Sequence, residues 1–209
     1  MAKLSVQPLL QTAVTRGIKN VVPLVVNAIL WALTVWIPYI NIGTTIGLYA
    51  GVIGKMARGE IISPLEIFNP DYRKHMGSFF LVMGLMFAGI GFAFLLFIAP
   101  GIVLSFAWII APVLVVDQAM SPTDALQKSN ELTWGNKGTI FISQLVLVIA
   151  IMILQWIAGA IGDVSAALGG LLSFVISLVA VAAGVALLSA IYGELNDITP
   201  DAETERENA

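Results

Sequence analysis

The polar side chains with the greatest catalytic potential lie in the second half of the chain. Asp117, Asp124, Lys128 and Asn136 are close in sequence, and groups of these types can act as acids, bases or ligands. They lack suitable neighbours, because His75 is the only histidine and the chain contains no cysteine. The sequence has no metal-ligand spacing, no nucleophile beside a base and no phosphate-binding glycine loop. We therefore expect no catalytic residue, no metal site and no cofactor, and we do not expect an enzyme.

The composition indicates the class of protein to which these residues belong. Of the 209 residues, 58% are hydrophobic and 11% are charged. Ordinary soluble domains carry about 25% charged residues. The mean hydropathy is +0.93, and a soluble fold of this size could not bury so much apolar surface. The sequence predicts an integral membrane protein whose main partner is the lipid bilayer, and the net charge of −3 gives no indication of nucleic acid binding.

Apolar segments long enough to cross a bilayer can be found along most of the chain. A spanning helix needs ~20 apolar residues, because the hydrocarbon core is ~30 Å thick. Residues 77–116 contain no charged side chain and must form two spans, with a break at Pro100 and Gly101. Residues 42–56 are short for a crossing at ~1.5 Å per residue. The predicted spans are residues 21–40, 42–56, 77–98, 101–116, 139–161 and 168–192.

The positions of the ten basic residues favour a crossing by the short segment. If residues 42–56 cross, all ten Lys and Arg side chains lie on one side of six spans. The turns on the other side, near Asn41, Pro100 and Asp163, contain no basic residue. The positive-inside rule makes the basic side the cytoplasm. We expect an all-α integral membrane domain over residues 1–194, with six helices in three hairpins and both termini cytoplasmic.

Two connectors on the cytoplasmic side, residues 55–76 and 117–138, contain similar motifs. "SPLEIF" begins at Ser63 and "SPTDAL" at Ser121, and each has Ser, then Pro, then a carboxylate three residues after the Ser. This arrangement is typical of a capped helix start. The second connector is predicted to be an amphipathic helix on the membrane surface that ends at Gly135, and the first a weaker one. One face of the second helix contains Ala125, Leu126, Ser129, Leu132 and Thr133.

A short sequence pattern occurs twice in the chain. "TRGIK" at residues 15–19 and "TWGNK" at residues 133–137 share the form T-x-G-x-K. They are consistent with three repeated units of an interfacial helix plus a hairpin. The alternative is that Gly and Lys simply recur where chains enter a bilayer.

Residues 195–209 are acidic and lack apolar periodicity, which predicts a flexible cytoplasmic tail.

Residues 100–138 also resemble a known signature. They look like bacterial membrane proteins related to the glycerophosphoryl diester phosphodiesterase membrane domain, and the DUF975-like and YciC-like groups are similar. "RGEIISPLEIF" at residues 58–68 resembles the earlier connector of the same group, and the strong match covers under a third of the chain. Asp124 belongs to the second connector, and the residues in the resembling motif are Pro100, Gly101, Pro112, Asp117, Ser121, Pro122, Ala125, Leu126, Lys128, Ser129, Leu132, Thr133, Gly135 and Asn136.

The resemblance implies a six-helix module in the inner membrane of a bacterium, and most members of this group have no assigned activity. In some relatives the phosphodiesterase domain is a separate soluble barrel, so the resemblance implies no such activity for this chain.

Glycines at helical spacing mark one candidate packing surface. Gly43, Gly47, Gly51 and Gly54 form a tandem G-x-x-x-G face on the short second span. Such a face lets another helix approach closely. It could contact the first or sixth span of the same chain, or it could form a homo-oligomer interface. A similar set on the third span has the same two interpretations and contains Gly84, Ala88, Gly89 and Gly91.

The strongly polar residues within the predicted spans are Asn27, Gln144 and Gln155. Amides in hydrocarbon need hydrogen-bond partners, and a transport path more typically contains a charged group near the bilayer centre. The spans contain no such charge. The leading hypothesis is therefore a non-enzymatic membrane scaffold or accessory module that binds lipids, further copies of itself or other membrane proteins. The alternative is a transporter or a lipid-translocating protein.

Overall fold

The structure is a computed structural model that describes residues 3–198, and this part of the chain contains helices and turns but no strand. The prediction of an all-helical protein is confirmed for it. Residues 199–209, which make up most of the predicted tail, lie outside the described residues. The helices are α1 Val6–Lys19, α2 Val21–Thr34, α3 Pro38–Ile46, α4 Val52–Ala57, α5 Met76–Leu96, α6 Ile98–Ala107, α7 Ala111–Asp117, α8 Pro122–Thr133, α9 Lys137–Val164 and α10 Ala166–Leu195.

Four helical segments among residues 3–198 are long and apolar enough to cross a membrane. They are Pro70–Leu96, Ile98–Asp117, Lys137–Val164 and Ala166–Leu195. A fifth exists only if α1 and α2, which are bent by 77° at their junction, count as one span. Several apolar helices typical of a membrane protein are thus confirmed, whereas the predicted number of six spans is not.

Prolines and extended residues define the breaks in the third and fourth predicted spans. The chain leaves α5 at Phe97, whose backbone is extended, and α6 then includes Pro100 in its first turn, where proline is tolerated. The break therefore lies before Pro100, rather than at Pro100 and Gly101 as predicted. A second break, between α6 and α7, was not predicted. It precedes Pro112, which lies in the first turn of α7 and lacks a backbone N–H.

The buried core lies at one end of the four long segments. We call this the connector end, and it is formed by the start of α5, the end of α7, the start of α9 and the end of α10. The buried residues of α5 are Phe79 and Val82, and most of those in α10 follow Val181. The far halves expose large apolar side chains such as Phe87 and Leu95. Exposed apolar surface of this kind is stable against hydrocarbon rather than water.

The short segment that was predicted as a second span is the most completely buried part of the fold. α3 and α4 are joined by a π-helical turn at Gly47–Gly51. Between Gly43 and Ala57, only Thr45, Tyr49 and Lys55 are not buried. These helices are covered by α7, α10 and the first connector. A segment that looked too short for a full crossing is therefore the centre of the protein core.

The two connectors fold differently, despite their similar motifs. In the second, Ser121 accepts a hydrogen bond from the Asp124 backbone N–H at 3.3 Å and α8 follows, while Gly135 takes a left-handed φ of 80°. The first contains no capped α-helix at Ser63. It has only short 3-10 turns at Glu66–Phe68 and Pro70–His75. Its start remains non-helical because its backbone groups bond instead to the side chains of Asn20, at the junction of α1 and α2, and of Asn27, in α2.

Candidate functional site at the connector end

A network of polar side chains around Asp117 joins three parts of the chain at the connector end. Arg58 Nη1 donates to Asp117 Oδ1 at 2.7 Å, and the Tyr192 hydroxyl donates to Asp117 Oδ2 at 2.8 Å. Gln118 Nε2 donates to the Tyr192 oxygen at 3.0 Å, and Arg58 Nε donates to Glu60 Oε1 at 2.8 Å. The carboxylate of Asp117 therefore ties α7 to the first connector and to the end of α10.

The charged groups of this network are paired within the protein, since the Arg58 guanidinium contacts the carboxylates of both Asp117 and Glu60. Burial lowers the pKa of Arg58, but the hydrogen bonds from its guanidinium to Asp117 and Glu60 outweigh burial and raise it. Charge-assisted hydrogen bonds of this kind are stronger than neutral ones. Asp117 is only 11% exposed, so both of its oxygens are committed to partners in the same chain. The arrangement is suited to holding helices together rather than to transferring a proton to a substrate.

A second cluster surrounds Glu66, which is 6% exposed. One carboxylate oxygen of Glu66 accepts from the Tyr72 hydroxyl at 2.6 Å, from Lys55 Nζ at 2.9 Å and from Asn69 Nδ2 at 3.3 Å. Burial raises the pKa of Glu66, but the hydrogen bonds from Tyr72, Lys55 and Asn69 outweigh it and hold the pKa below its usual value. The cluster therefore contains an ionised glutamate that fixes the connector to α4.

Two asparagines hold the first connector against α1 and α2. Asn27 is fully buried, and its Nδ2 donates to Ser63 O at 2.9 Å while its Oδ1 accepts from the Ile67 N–H at 3.0 Å. Asn20 Oδ1 likewise accepts from the Ile62 N–H at 2.9 Å. Asn27 was predicted as an intramembrane polar residue. In the structure its side chain forms hydrogen bonds with backbone groups of the connector. In a helical connector these groups would bond to each other.

The other two predicted intramembrane amides lie on α9. Gln155 Nε2 donates to Ser177 Oγ at 3.2 Å and to Ser173 O at 3.3 Å, which links α9 to α10. Gln144 is partly buried. Neither amide lies among the residues of the Asp117 network or the Glu66 cluster.

The tandem glycine face is covered by residues of the same chain. A Cβ built on Gly47 would lie 2.8 Å from backbone atoms of Ile67, and one on Gly51 would overlap the Tyr72 ring. Gly43 similarly contacts Arg73, and Gly54 contacts Asp117. The neighbours nearest to this face are thus the first connector and Asp117, rather than the first or sixth span. On α5, Gly89 contacts Trp108, whereas Gly84 and Gly91 face open space and Ala88 is exposed.

The residues of the resembling motif have several separate structural roles. Ser129 Oγ and Thr133 Oγ1 donate to Ala107 O at 2.8 and 3.3 Å, satisfying a carbonyl at the end of α6. Asn136 Oδ1 accepts from the Leu4 N–H at 2.9 Å, and Gly101 leaves room for the Phe94 ring. Ala125 is buried, while Leu126 and Leu132 pack against the core. Pro100, Asp124 and Lys128 are exposed, and Pro112 and Pro122 each lie in a first helical turn.

Three of the four polar residues considered first as catalytic candidates make contacts in different parts of the fold. Asp117 bonds to Arg58 and Tyr192, whereas Asn136 bonds to Leu4 and the Asp124 backbone N–H donates to Ser121, the N-cap of α8. Within residues 3–198, no group of three or more His, Cys, Asp and Glu side chains could hold a metal ion.

Sequence reasoning missed the buried charges. Arg16 is only 6% exposed, and its Nη1 donates to Ser189 O at 2.7 Å, in space left by Gly193. Glu66 is buried equally well. Both residues lie outside the predicted spans, so the expectation that the spans contain no central charge did not point to them. One available signal was the spacing of Leu9, Ala13, Arg16 and Asn20, which places Arg16 on the buried face of α1.

An apolar groove of about 250 Å³ lies on the outside of the protein, between α1, α9 and α10. Leu10, Val14, Leu147 and Val179 are among the side chains that line it, and none of the lining residues is charged. Its position on an apolar outer surface makes it accessible to lipid chains rather than to a polar solute.

Comparison with known proteins gives no further assignment. No family model matches the chain, and no curated protein and no solved structure matches it significantly.

Proposed function

We propose that this protein is a non-enzymatic membrane scaffold or accessory module that binds other membrane proteins or lipids. The observation that carries the proposal is the closed state of the polar network at the connector end. The carboxylates of Asp117 and Glu66 and the guanidinium of Arg58 all bond to groups of the same chain. Side chains committed in this way stabilise a fold, and they leave no pair of groups poised around a substrate.

We also propose that the protein lies in the inner membrane of a bacterium, with both termini and both connectors in the cytoplasm. The one-sided distribution of Lys and Arg supports this orientation. This orientation is the same for six crossings and for four. If α2 and α3 do not cross, two crossings are lost together, and the later spans keep their direction. The resemblance of residues 100–138 to the phosphodiesterase membrane-domain group remains part of this proposal.

The second candidate, a transporter or lipid-translocating protein, is favoured by the irregular helices. The π turn at Gly47–Gly51 and the break between α6 and α7 are features that often occur at functional sites. However, Asn27 is enclosed by connector backbone rather than exposed in a cavity. The groove at α1 is apolar and offers no path for a polar solute. These contacts favour the scaffold.

Lipid-facing surfaces far from the connector end are the best candidates for partner binding. On α5, Phe87 is 85% exposed, and Gly84 and Gly91 leave flat surface beside it. Small residues beside large ones allow another helix to approach closely in a membrane. The exposed Trp156 on α9 provides a second such position.

Photo-crosslinking in native membranes tests this proposal. A photoreactive phenylalanine would replace Phe87 or Trp156, with the buried Leu114 as the matched control. We expect discrete adducts of a protein or a lipid at the two exposed positions, and none at position 114. If neither exposed position gives a specific adduct above the control, the scaffold proposal fails.

A further inference from the structure

Two charged residues mark one boundary of the membrane. Lys74 and Asp117 enclose a stretch without any charged side chain, which contains α5, α6 and α7. This stretch forms a hairpin of two spans, and such a hairpin returns to the side on which it began. The turn before α5 and the end of α7 therefore lie at the same boundary of the bilayer.

The helix formed by α3, the π turn and α4 contacts both of these places. Near its start, a Cβ on Gly43 would lie 2.8 Å from Arg73 Nε, in the turn before α5. Near its end, a Cβ on Gly54 would overlap the carboxylate of Asp117, at the end of α7. The two glycines are about 16 Å apart along the helix at ~1.5 Å per residue. A helix that contacts one boundary at both positions lies along that boundary and not across the bilayer.

The first connector supports the same orientation. It follows α3 and α4 along their length, since Lys55 bonds to Glu66, Gly47 contacts Ile67 and Gly43 contacts Arg73. If α3 and α4 crossed the bilayer, the exposed charges of Arg73, Lys74 and Asp71 would lie deep in hydrocarbon. Exposed charge and non-helical backbone are both strongly unfavourable there.

The distribution of basic residues agrees equally well with this arrangement. The positive-inside rule requires residues 42–56 to cross only if α2 also crosses. When neither α2 nor α3 crosses, every Lys and Arg among residues 3–198 still lies on one side of the remaining spans. The positive-inside rule therefore does not distinguish four crossings from six.

The exposed surface of the hairpin is apolar. Trp36 and Tyr39, at its tip, are 89% and 80% exposed, and Leu33 is exposed on α2. On the covered side of α2 lie Asn27 and Thr34, both buried and hydrogen-bonded. Polar groups inside and apolar groups outside are the arrangement of a segment in contact with lipid. Trp and Tyr are preferred at the headgroup level of a bilayer.

We infer that the α2–α3–α4 hairpin is an interfacial element that binds the lipid of the connector-side leaflet through Trp36 and Tyr39, so that the chain crosses the membrane four times. The charge of the chain near the hairpin suits a lipid surface, as does the apolar character of its exposed side chains. No acidic residue precedes Glu60, whereas the same stretch contains the exposed Lys3 and Lys19, and basic residues at this level attract anionic headgroups. This inference is independent of the proposed scaffold function.

Single-cysteine labelling distinguishes the two arrangements, and the natural chain contains no cysteine that would interfere. Tyr39→Cys would be compared with Asp163→Cys, in the last turn of α9, and Gln127→Cys, on α8. A membrane-impermeant maleimide is applied to intact cells and to inverted vesicles. We expect position 39 to label from the same side as position 127. Labelling of position 39 from the side of position 163 would overturn the inference.

A distance measurement decides the question even if lipid shields position 39 from the maleimide. Nitroxides on Tyr39→Cys and Asp163→Cys, in one protein reconstituted into nanodiscs, would be measured by pulsed electron resonance. On opposite sides of the bilayer the labels should be about 30 Å apart or more. A mean separation well below this value would place both at the same boundary and contradict the inference.

Discussion

Gly54 lies directly against the carboxylate of Asp117, so closely that a Cβ at position 54 would overlap Oδ1. The absence of a side chain lets α4 approach the end of α7. Asp117 can then accept from Arg58 and Tyr192 at the same time. This contact joins the N-terminal part of the chain to the long spans.

Substitution of this glycine should be costly. We expect Gly54→Ala to lower the free energy of unfolding by about 1–3 kcal/mol, because overpacking forces neighbouring atoms to shift. Gly84→Ala is the matched control, since a Cβ there meets open space, and it should be neutral or slightly stabilising. Thermal unfolding of both variants in the same detergent measures the difference. Equal stability of the two would mean that the contact at Asp117 is not tight.

Removal of the Asn27 amide should loosen the first connector. In Asn27→Leu the Ile67 N–H and the Ser63 carbonyl lose their partner. An unsatisfied buried polar group costs about 1–3 kcal/mol. We expect faster hydrogen exchange over residues 60–75, measured by mass spectrometry. Gln144→Leu serves as the control and should leave exchange in this segment unchanged.

Glu66 should make stability depend on pH in the acid range. Its pKa is lower in the folded protein than its usual value, so its stabilising contribution is complete above about pH 4.3 and is lost as the pH falls further. We expect Glu66→Gln to be less stable than the natural protein at pH 6, with the difference shrinking towards pH 3. Melting temperatures across this range provide the measurement. Asp163→Asn, at an exposed position, should show no such convergence.

The face of α8 can be tested with two adjacent substitutions. Leu126 packs against the core, whereas Gln127 is exposed. Leu126→Asp would bury a charge without a partner, and we expect it to reduce the yield of folded, detergent-extracted protein severalfold. Gln127→Asp should give a yield near that of the natural protein. Size-exclusion profiles of the two variants compare them, and equal yields would show that the assigned face is wrong.

The long apolar helices and the Ser121 cap could be predicted because they depend on local sequence. Uncharged stretches such as residues 77–116 require lipid or a large core, and Ser121-Pro122 marks a helix start wherever it occurs. The location of the core could not be predicted. Residues 43–57 and the far half of α5 are similarly apolar, although the first is buried and the second is exposed. Hydropathy does not distinguish protein from lipid as the surrounding medium.

The polar network was missed for a related reason. Asp117 is 59 residues from Arg58, and the segments that contain Arg58, Glu66 and Asp117 have the composition of ordinary loops. Only the return of the first connector along α3 and α4 brings them to one end of the bundle. That return depends on Asn20 and Asn27, whose bonds to Ile62 and Ile67 involve backbone groups and so leave no pattern in the sequence of the connector.

A flux measurement on the purified protein in liposomes tests the proposed closed scaffold most directly. Release of a trapped solute and exchange of a fluorescent lipid between leaflets would be compared with protein-free liposomes. We expect the two rates to be unchanged by the protein, because Asn27 is enclosed and the outer groove is apolar. Protein-dependent movement of either probe that Asn27→Leu or Gln144→Leu abolishes would contradict the scaffold proposal and establish a transport function.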